Sequence, residues 1–178
     1  MYSCMYHTPE GYDDMIMNSD GEYLTALCFE HSMDIAKLAS GCEEKDLPIF
    51  YETRRWLDMY FRGEKPDFTP KYKIVRLTPF REQVVEIMKK IPYGETVTYG
   101  DIARELAQKR GLDKMSAQAV GGAVGFNPIC IIVPCHRVVG TNCSLTGYGG
   151  GIKNKVKLLE HEGNDMTRLT IPQRGTVL

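Results

Sequence analysis

Cys135 and His136 are adjacent in the run Ile129-Cys130-Ile131-Ile132-Val133-Pro134-Cys135-His136-Arg137-Val138-Val139-Gly140. A free thiol with a pKa of about 8.5 is only a few per cent thiolate at neutral pH, and an imidazole within reach raises that fraction. The pair therefore has the composition of a nucleophile and its base. An isolated cysteine in an apolar run is more often a small core hydrophobe, and it is the adjoining imidazole that favours chemistry here. Ile129 to Val133 are apolar and mostly β-branched, which predicts a buried strand. Pro134 cannot donate to a ladder, so the strand must end or lie at an edge there. Neighbouring side chains on a strand point to opposite faces, so thiol and imidazole can meet only through a turn or a bridging water.

The elements around this segment follow from caps and periodicity. Thr78 can cap a helix starting at Pro79, with Val84, Val85, Ile87, Met88 and Ile91 as its apolar face and Pro92-Tyr93-Gly94 as its stop. Thr96-Val97 is a short extended bridge. Thr98 and Asp101 have capping-box spacing before Ile102, and Lys109-Arg110-Gly111 closes that helix. Ser116 can cap a second helix, Ala117 to Gly125, ended by Asn127-Pro128. Two short helices joined by a turn make a helix-turn-helix shape. Ala117, Ala119, Gly121, Gly122 and Ala123 leave the second helix nearly bare. Each interior Gly costs about 1 kcal/mol relative to Ala, so close approach of another backbone must explain it. Either a neighbouring element or the sugar-phosphate rim of a DNA groove would serve. Gly140 to Gly151 is a glycine-rich loop without the Gly-Lys-Ser/Thr ending of a phosphate loop. Ile152, Val156 and Leu159 begin a last helix ending at Glu162-Gly163, and a loosely ordered tail is expected beyond it.

Residues 1–77 read as a small α/β unit. Met15-Ile16-Met17 and Leu24 to Phe29 are strand-like and flank the turn cluster Asn18-Ser19-Asp20-Gly21, which predicts a hairpin. Thr53 to Phe61 carries Trp56, Leu57, Tyr60 and Phe61 at helical spacing, stopped by Gly63. The aromatic stripe fits core packing better than base stacking, and no chemistry is expected of this half. Lys65 to Pro70 is the linker candidate, and Ile74-Val75-Arg76-Leu77 a last short strand.

The net charge of −1 hides an asymmetry. Residues 1–70 carry 6 Lys+Arg against 14 Asp+Glu, and residues 71–178 carry 16 against 9. Only the second half is suited to meet a polyanion. No apolar run is long enough to span a bilayer and no secretion signal is evident, so a cytoplasmic address, or a nuclear one in a eukaryote, is expected, with no membrane partner. The six cysteines form no CxxC pair or zinc-finger spacing and are expected to be reduced thiols. Cys4 and His7 invite a zinc site, but matching ligands are not evident, so no metal is expected.

Pro134-Cys135-His136-Arg137-Val138 resembles the active-site signature of the methylated-DNA–protein-cysteine methyltransferases (alkylguanine-DNA alkyltransferases). The resemblance runs from about Pro79 to Gly163. It includes Gly94-Glu95-Thr96-Val97-Thr98-Tyr99, Ala119-Val120-Gly121-Gly122-Ala123, Asn127-Pro128 and Leu158-Leu159-Glu160-His161-Glu162-Gly163. It implies an α/β fold: a small ribonuclease H-like α/β domain over 1–77, a mostly helical, winged helix-turn-helix-like domain over 78–165, and a tail over 166–178. It implies DNA repair by single, irreversible transfer of an alkyl group from O6 of guanine, or O4 of thymine, in double-stranded DNA. The acceptor would be Cys135, with no cofactor and with a monomer as the working unit.

The same resemblance assigns roles. His136 takes the thiol proton through a water, Glu162 orients the imidazole, and Tyr99 donates to the extruded base and crowds its phosphate. Tyr148, Gly149 and Val138 line the base pocket. Asn127 ties the turn to the active-site segment. Gln118, Ala119 and Gly122 face the minor groove, with Gln118 where the family often has an arginine finger. Glutamine carries no charge and stacks less well than arginine. Arg137 is open to two roles, a phosphate contact or a structural ion pair. Two other functions compete: a DNA-binding sensor of alkylated bases that performs no repair, and a cysteine hydrolase. The presence of Cys135 argues against the first, and no oxyanion loop stands out for the second.

Overall fold

The computed structural model describes residues 1–32 and 41–171 of the 178-residue chain. Three strands, β1 (Tyr2–Tyr6), β2 (Met15–Ser19) and β3 (Leu24–Phe29), form an antiparallel meander, and the short β4 (Glu43–Glu44) adds in parallel beside β1. The expected hairpin is present. Asp20 closes its turn by accepting from the backbone N–H groups of Glu22 and Tyr23 at 3.1 and 2.8 Å. The first helix, α1 (Pro48–Phe61), starts five residues earlier than Thr53. Pro48 occupies the first turn, where its missing N–H costs nothing.

After the connecting segment come α2 (Pro79–Met88), the two-residue β5 (Val97–Thr98), α3 (Tyr99–Lys109) and α4 (Ala117–Gly125). All three helix caps expected from sequence form. Thr78 accepts from Arg81, Ser116 accepts from Ala119, and Thr98 and Asp101 make a reciprocal capping box. Helices α2 and α3 both pack on α4. A 3-10 turn (Cys135–Arg137) leads into β6 (Val138–Val139), which pairs in parallel with β5. The last helix, α5 (Ile152–His161), returns against that turn.

Three expectations differ from the structure. Ile129 to Val133 is not a strand. Only Ile129 bridges β3, through Leu27, and Ile131 has φ +68°. The β-branched run is buried as expected, but its backbone groups find partners locally. Val133 N–H donates to Ile129 O, and Ile132 N–H to Cys130 O. Ile74 to Leu77 is a turn, with Arg76 at φ +58°. The tail is anchored as far as it is described. Met166 and Leu169 pack on Val139, Leu145 and Leu159, and Thr170 bridges Ser144. Residues 172–178 lie outside the described residues.

One apolar cluster runs through both halves, from Met15, Leu27 and Phe29 to Ile129, Val133 and Val138. The segment preceding Cys135 is pinned to the N-terminal sheet. Leu27 N–H donates to Pro128 O at 2.7 Å and Cys130 N–H donates to Leu27 O at 2.8 Å. Gly150 lies at the same junction, where an added Cβ would be 2.7 Å from the Tyr148 ring and 2.8 Å from Phe29. Gly150→Ala is therefore expected to cost about 1–3 kcal/mol of stability by overpacking, measured by urea denaturation. An unchanged midpoint would mean the junction is looser than described.

Candidate active site

Cys135 opens the 3-10 turn and is buried, with a relative exposure of 6%. Asn127, directly after α4, organises this turn with one side chain. Its Oδ1 accepts from Ile129 N–H at 3.1 Å. Its Nδ2 faces Val133 O at 2.8 Å, Ile129 O at 3.3 Å and the Cys135 sulfur at 3.0 Å. The amide thus holds the loop and offers a donor to a thiolate. The Cys130 thiol alongside, together with burial, pushes the Cys135 thiol up. The Asn127 donor and the nearby Lys155 charge act in the opposite direction.

His136 and Glu162 are both buried and meet at 2.8 Å, Nε2 to Oε1. Burial pushes the Glu162 carboxyl up, but the His136 and Arg137 donors outweigh it and hold the group well below the usual carboxylate range. An ionised carboxylate can only accept, so Nε2 carries a proton. The other ring nitrogen, Nδ1, is buried and has no protein partner. In the neutral imidazole it is a free acceptor. Burial lowers the His136 pKa and the Glu162 charge partly restores it.

Glu162 sits at the C-terminal cap of α5, and a solvated helix end would be the ordinary outcome there. Instead it collects donors from across the fold. Arg137 gives two, Nε to Oε2 and Nη2 to Oε1, both at 2.8 Å, and its Nη1 donates to Ile91 O at 2.7 Å. Of the two roles open to Arg137, the structure contains the ion pair: the guanidinium fork is taken up by Glu162 and Ile91. Gly94 N–H donates to Oε2 at 3.3 Å and the Tyr60 hydroxyl to Oε1 at 2.7 Å.

A cavity of about 500 Å³ opens over Cys135, lined in part by Asn127, Cys130, Tyr148, Gly149 and the end of α4 at Gly125. Tyr148 is buried and its hydroxyl finds no nitrogen or oxygen partner. Tyr99 begins α3 and donates to Thr146 O or Gly147 O, at 3.2 and 3.3 Å, so it braces the glycine loop. Burial pushes its phenol up to about 12. The Val138 side chain is fully buried in the core, and its carbonyl accepts from Lys155 at 2.6 Å. Gln118, Ala119 and Gly122 lie on the exposed face of α4.

Sequence reasoning missed Tyr60, Lys155 and the N-terminal part of the cavity wall, which includes Thr25, Cys28 and Arg76. Lys155 left a trace, three residues after Ile152 and four before Leu159 on the apolar face of α5. It is fully buried, bridges Val138 O and Thr146 O, and burial lowers its pKa to about 8. Tyr60 left none, because an aromatic stripe does not report which member reaches a distant carboxylate. Cys4 and His7 face different partners, Arg54 with Asp46 and Asp14 respectively. Among the described residues no group of three or more His, Cys, Asp or Glu side chains is placed to hold a metal, and all six cysteines are free thiols.

Residues 79–164 match the family model described as the 6-O-methylguanine DNA methyltransferase DNA-binding domain. The methylated-DNA–protein-cysteine methyltransferase of Haemophilus influenzae is 36% identical over 162 residues, covering 91% of this chain and 86% of the relative. That of Methanosarcina acetivorans is 37% identical over 164 residues, covering 92% and 99%. The chain belongs to the methylated-DNA–protein-cysteine methyltransferase family. The crystal structure of Mycobacterium tuberculosis OGT in complex with DNA has the same mixed α/β fold, with a TM-score of 0.76, 35% identity and 95% of each chain covered.

The depressed Glu162 carboxyl makes this methyltransferase-family site sensitive to acid. A carboxyl whose folded pKa lies below its unfolded value stabilises the fold above the unfolded value and loses that contribution as pH falls. Stability should therefore drop as pH falls below about 4.5, the ordinary glutamate value. Glu162→Gln should flatten that limb. It should also cost roughly 3 kcal/mol at neutral pH, because Arg137 loses its buried counter-charge. Urea midpoints from pH 7 to pH 3 check both.

Proposed function

We propose that the protein repairs DNA by moving an alkyl group from O6 of guanine, or O4 of thymine, to its own Cys135 in one irreversible step. The observation that carries this reading is a thiol lining a cavity of about 500 Å³, followed in the same turn by an imidazole that keeps one nitrogen unpartnered while a buried, ionised carboxylate holds the other. The thiol proton passes through a water to His136 Nδ1. The sulfur–carbon bond forms as the carbon–O6 bond breaks, and the departing guanine takes a proton from the Tyr99 hydroxyl, which the proton held on His136 then replaces through water. Glu162 supports the imidazolium in the interval, as the third member of a nucleophile–base–orienter set. The thioether is too stable for water to displace, so each molecule acts once. No metal or nucleotide is needed for this balance.

The base must leave the duplex to reach Cys135, at a cost of a few kcal/mol. Tyr148 and Gly149 would wall the extruded base. Tyr99 would release its loop carbonyl to donate to it, crowding the phosphate at the start of α3. The ribonuclease H-like description suits the N-terminal unit over 1–77, and the winged helix-turn-helix-like description suits 78–165, with α3 and α4 as the helix pair and β5–β6 beside them. Among the described residues no helix is long and apolar enough to cross a membrane. A cytoplasmic monomer acting on double-stranded DNA is the working form we infer.

The bare face of α4 supports minor-groove contact through Gln118, Ala119 and Gly122. A Cβ added at Gly122 or Gly125 would meet nothing within 4 Å, so nothing inside the protein requires glycine there. Gly122→Ala should raise stability by about 0.5–1 kcal/mol through helix propensity, yet weaken binding to duplex DNA at fixed salt. Stabilisation without loss of binding, by urea denaturation and DNA titration, would count against α4 as the contact.

Intact mass of the protein after mixing with O6-methylguanine duplex tests the chemistry. One added methyl per molecule is expected, absent in Cys135→Ser. DNA binding without mass gain would favour the sensor, and turnover of an ester or amide the hydrolase.

A further inference from the structure

The donors to Glu162 come from three separate parts of the fold. His136 and Arg137 come from the active-site turn, and Gly94 from the loop after α2. Tyr60 comes from α1, 102 residues away in sequence, in the half to which no chemistry is assigned. The Tyr60 hydroxyl is 2.7 Å from Oε1, the same oxygen that His136 reaches at 2.8 Å and Arg137 Nη2 at 2.8 Å. Oε1 therefore serves three donors, and Oε2 serves Arg137 Nε and Gly94 N–H. A carboxylate oxygen has about two lone-pair directions, so three donors on one oxygen divide its charge. Each charge-assisted donor draws on the density that the imidazolium would otherwise use.

We propose that Tyr60 is a positioning residue of the relay, whose hydroxyl takes a share of Glu162 Oε1 and thereby limits how strongly Glu162 can support a protonated His136. The inference rests on the alkyl-transfer function proposed above for what the relay is for, but the Tyr60–Glu162–His136 contact stands without it. Tyr60 is well placed to act as a donor and not as an acid. It is buried at 2% exposure, and burial with the adjacent Glu162 charge pushes its phenol well above the ordinary value. The proton stays on the phenol throughout. Its ring is locked by stacking on Trp56 at 5.7 Å, by an edge contact with Tyr93 at 6.1 Å and by His161 at 5.2 Å. The backbone carbonyl of Tyr60 pairs with His161 Nε2 at 2.8 Å, which fixes the end of α1 against α5.

The charged and titratable groups facing this centre are few. Arg137 and Cys135 flank His136 on its own turn, and Lys155 from α5 lowers the tendency of His136 to protonate. Tyr93, after α2, faces both Glu162 and Arg137. Tyr12, before β2, senses Glu162 at longer range. None of these but Arg137 shares Oε1 with His136 and Tyr60, and Arg137 cannot lose its proton. Tyr60 is therefore the one neutral competitor for that oxygen among the described residues, and removing its hydroxyl leaves every formal charge in place.

The test is the imidazole titration of His136 by 15N-edited NMR in the full-length protein, assigned with His136→Gln, alongside methyl transfer from an O6-methylguanine duplex. In Tyr60→Phe the ring packing is retained and the hydroxyl lost. The His136 midpoint is expected to rise by about 0.5–1 pH unit, as one donor to the charged partner is withdrawn. A fluorinated tyrosine at position 60 is a stronger donor that keeps the native shape, and should move the midpoint the other way. It also covers the case in which Tyr60→Phe unfolds. A midpoint unmoved in both variants, or moved in the same direction by both, overturns the proposal. If wild type takes up no methyl while the midpoints move as stated, the repair function fails and the Tyr60 inference stands.

Discussion

A single buried carboxylate holds this molecule together at its working end. Glu162 closes α5, anchors the active-site turn through His136 and Arg137, receives the loop after α2 through Gly94, and is reached by Tyr60 from α1. A buried charge without such partners would neutralise or unfold its surroundings. With them it becomes the point at which separate elements share one electrostatic constraint. The orientation of His136 follows from it, because an ionised acceptor at Nε2 leaves Nδ1 as the open nitrogen. The nucleophile is held differently, by the neutral amide of Asn127, which satisfies an irregular loop and faces the sulfur at once. Positioning of the thiol and tuning of the base are therefore carried by separate residues.

The N-terminal half contributes in two ways beyond its own packing. Its strand β3 pins the segment before Cys135 through Leu27, and its helix α1 supplies a donor to the relay. One core runs through both halves, so the acidic and basic portions of the chain form a joint structure. The acidic portion supports the site from behind, while α4, with Gly122 and Gly125 open to solvent, remains on the basic portion.

Much of the second half was legible in the sequence because its signals are local. Thr78-Pro79, the Thr98–Asp101 box and Ser116 each marked a helix start that the structure contains. Cys135, His136 and Glu162 were brought into one site by motif resemblance, and the structure pairs His136 with Glu162. The Ile129 to Val133 run misled because β-branched burial does not distinguish a strand from a buried loop whose polar groups are satisfied by a side chain. That side chain, Asn127, was visible, but its four partners were not. Tyr60, Lys155 and the ion pair of Arg137 depend on contacts 17 to 102 residues apart, which no periodicity encodes.

The central claim is that Glu162 is ionised and fixes His136 with a proton on Nε2 and a lone pair on Nδ1. The 15N chemical shifts of the two ring nitrogens, measured in the neutral imidazole form of the resting protein, test this most directly. The account predicts a protonated, pyrrole-type Nε2 and an unprotonated, pyridine-type Nδ1. The reverse tautomer, with the proton on Nδ1, would require Glu162 to donate and would contradict it.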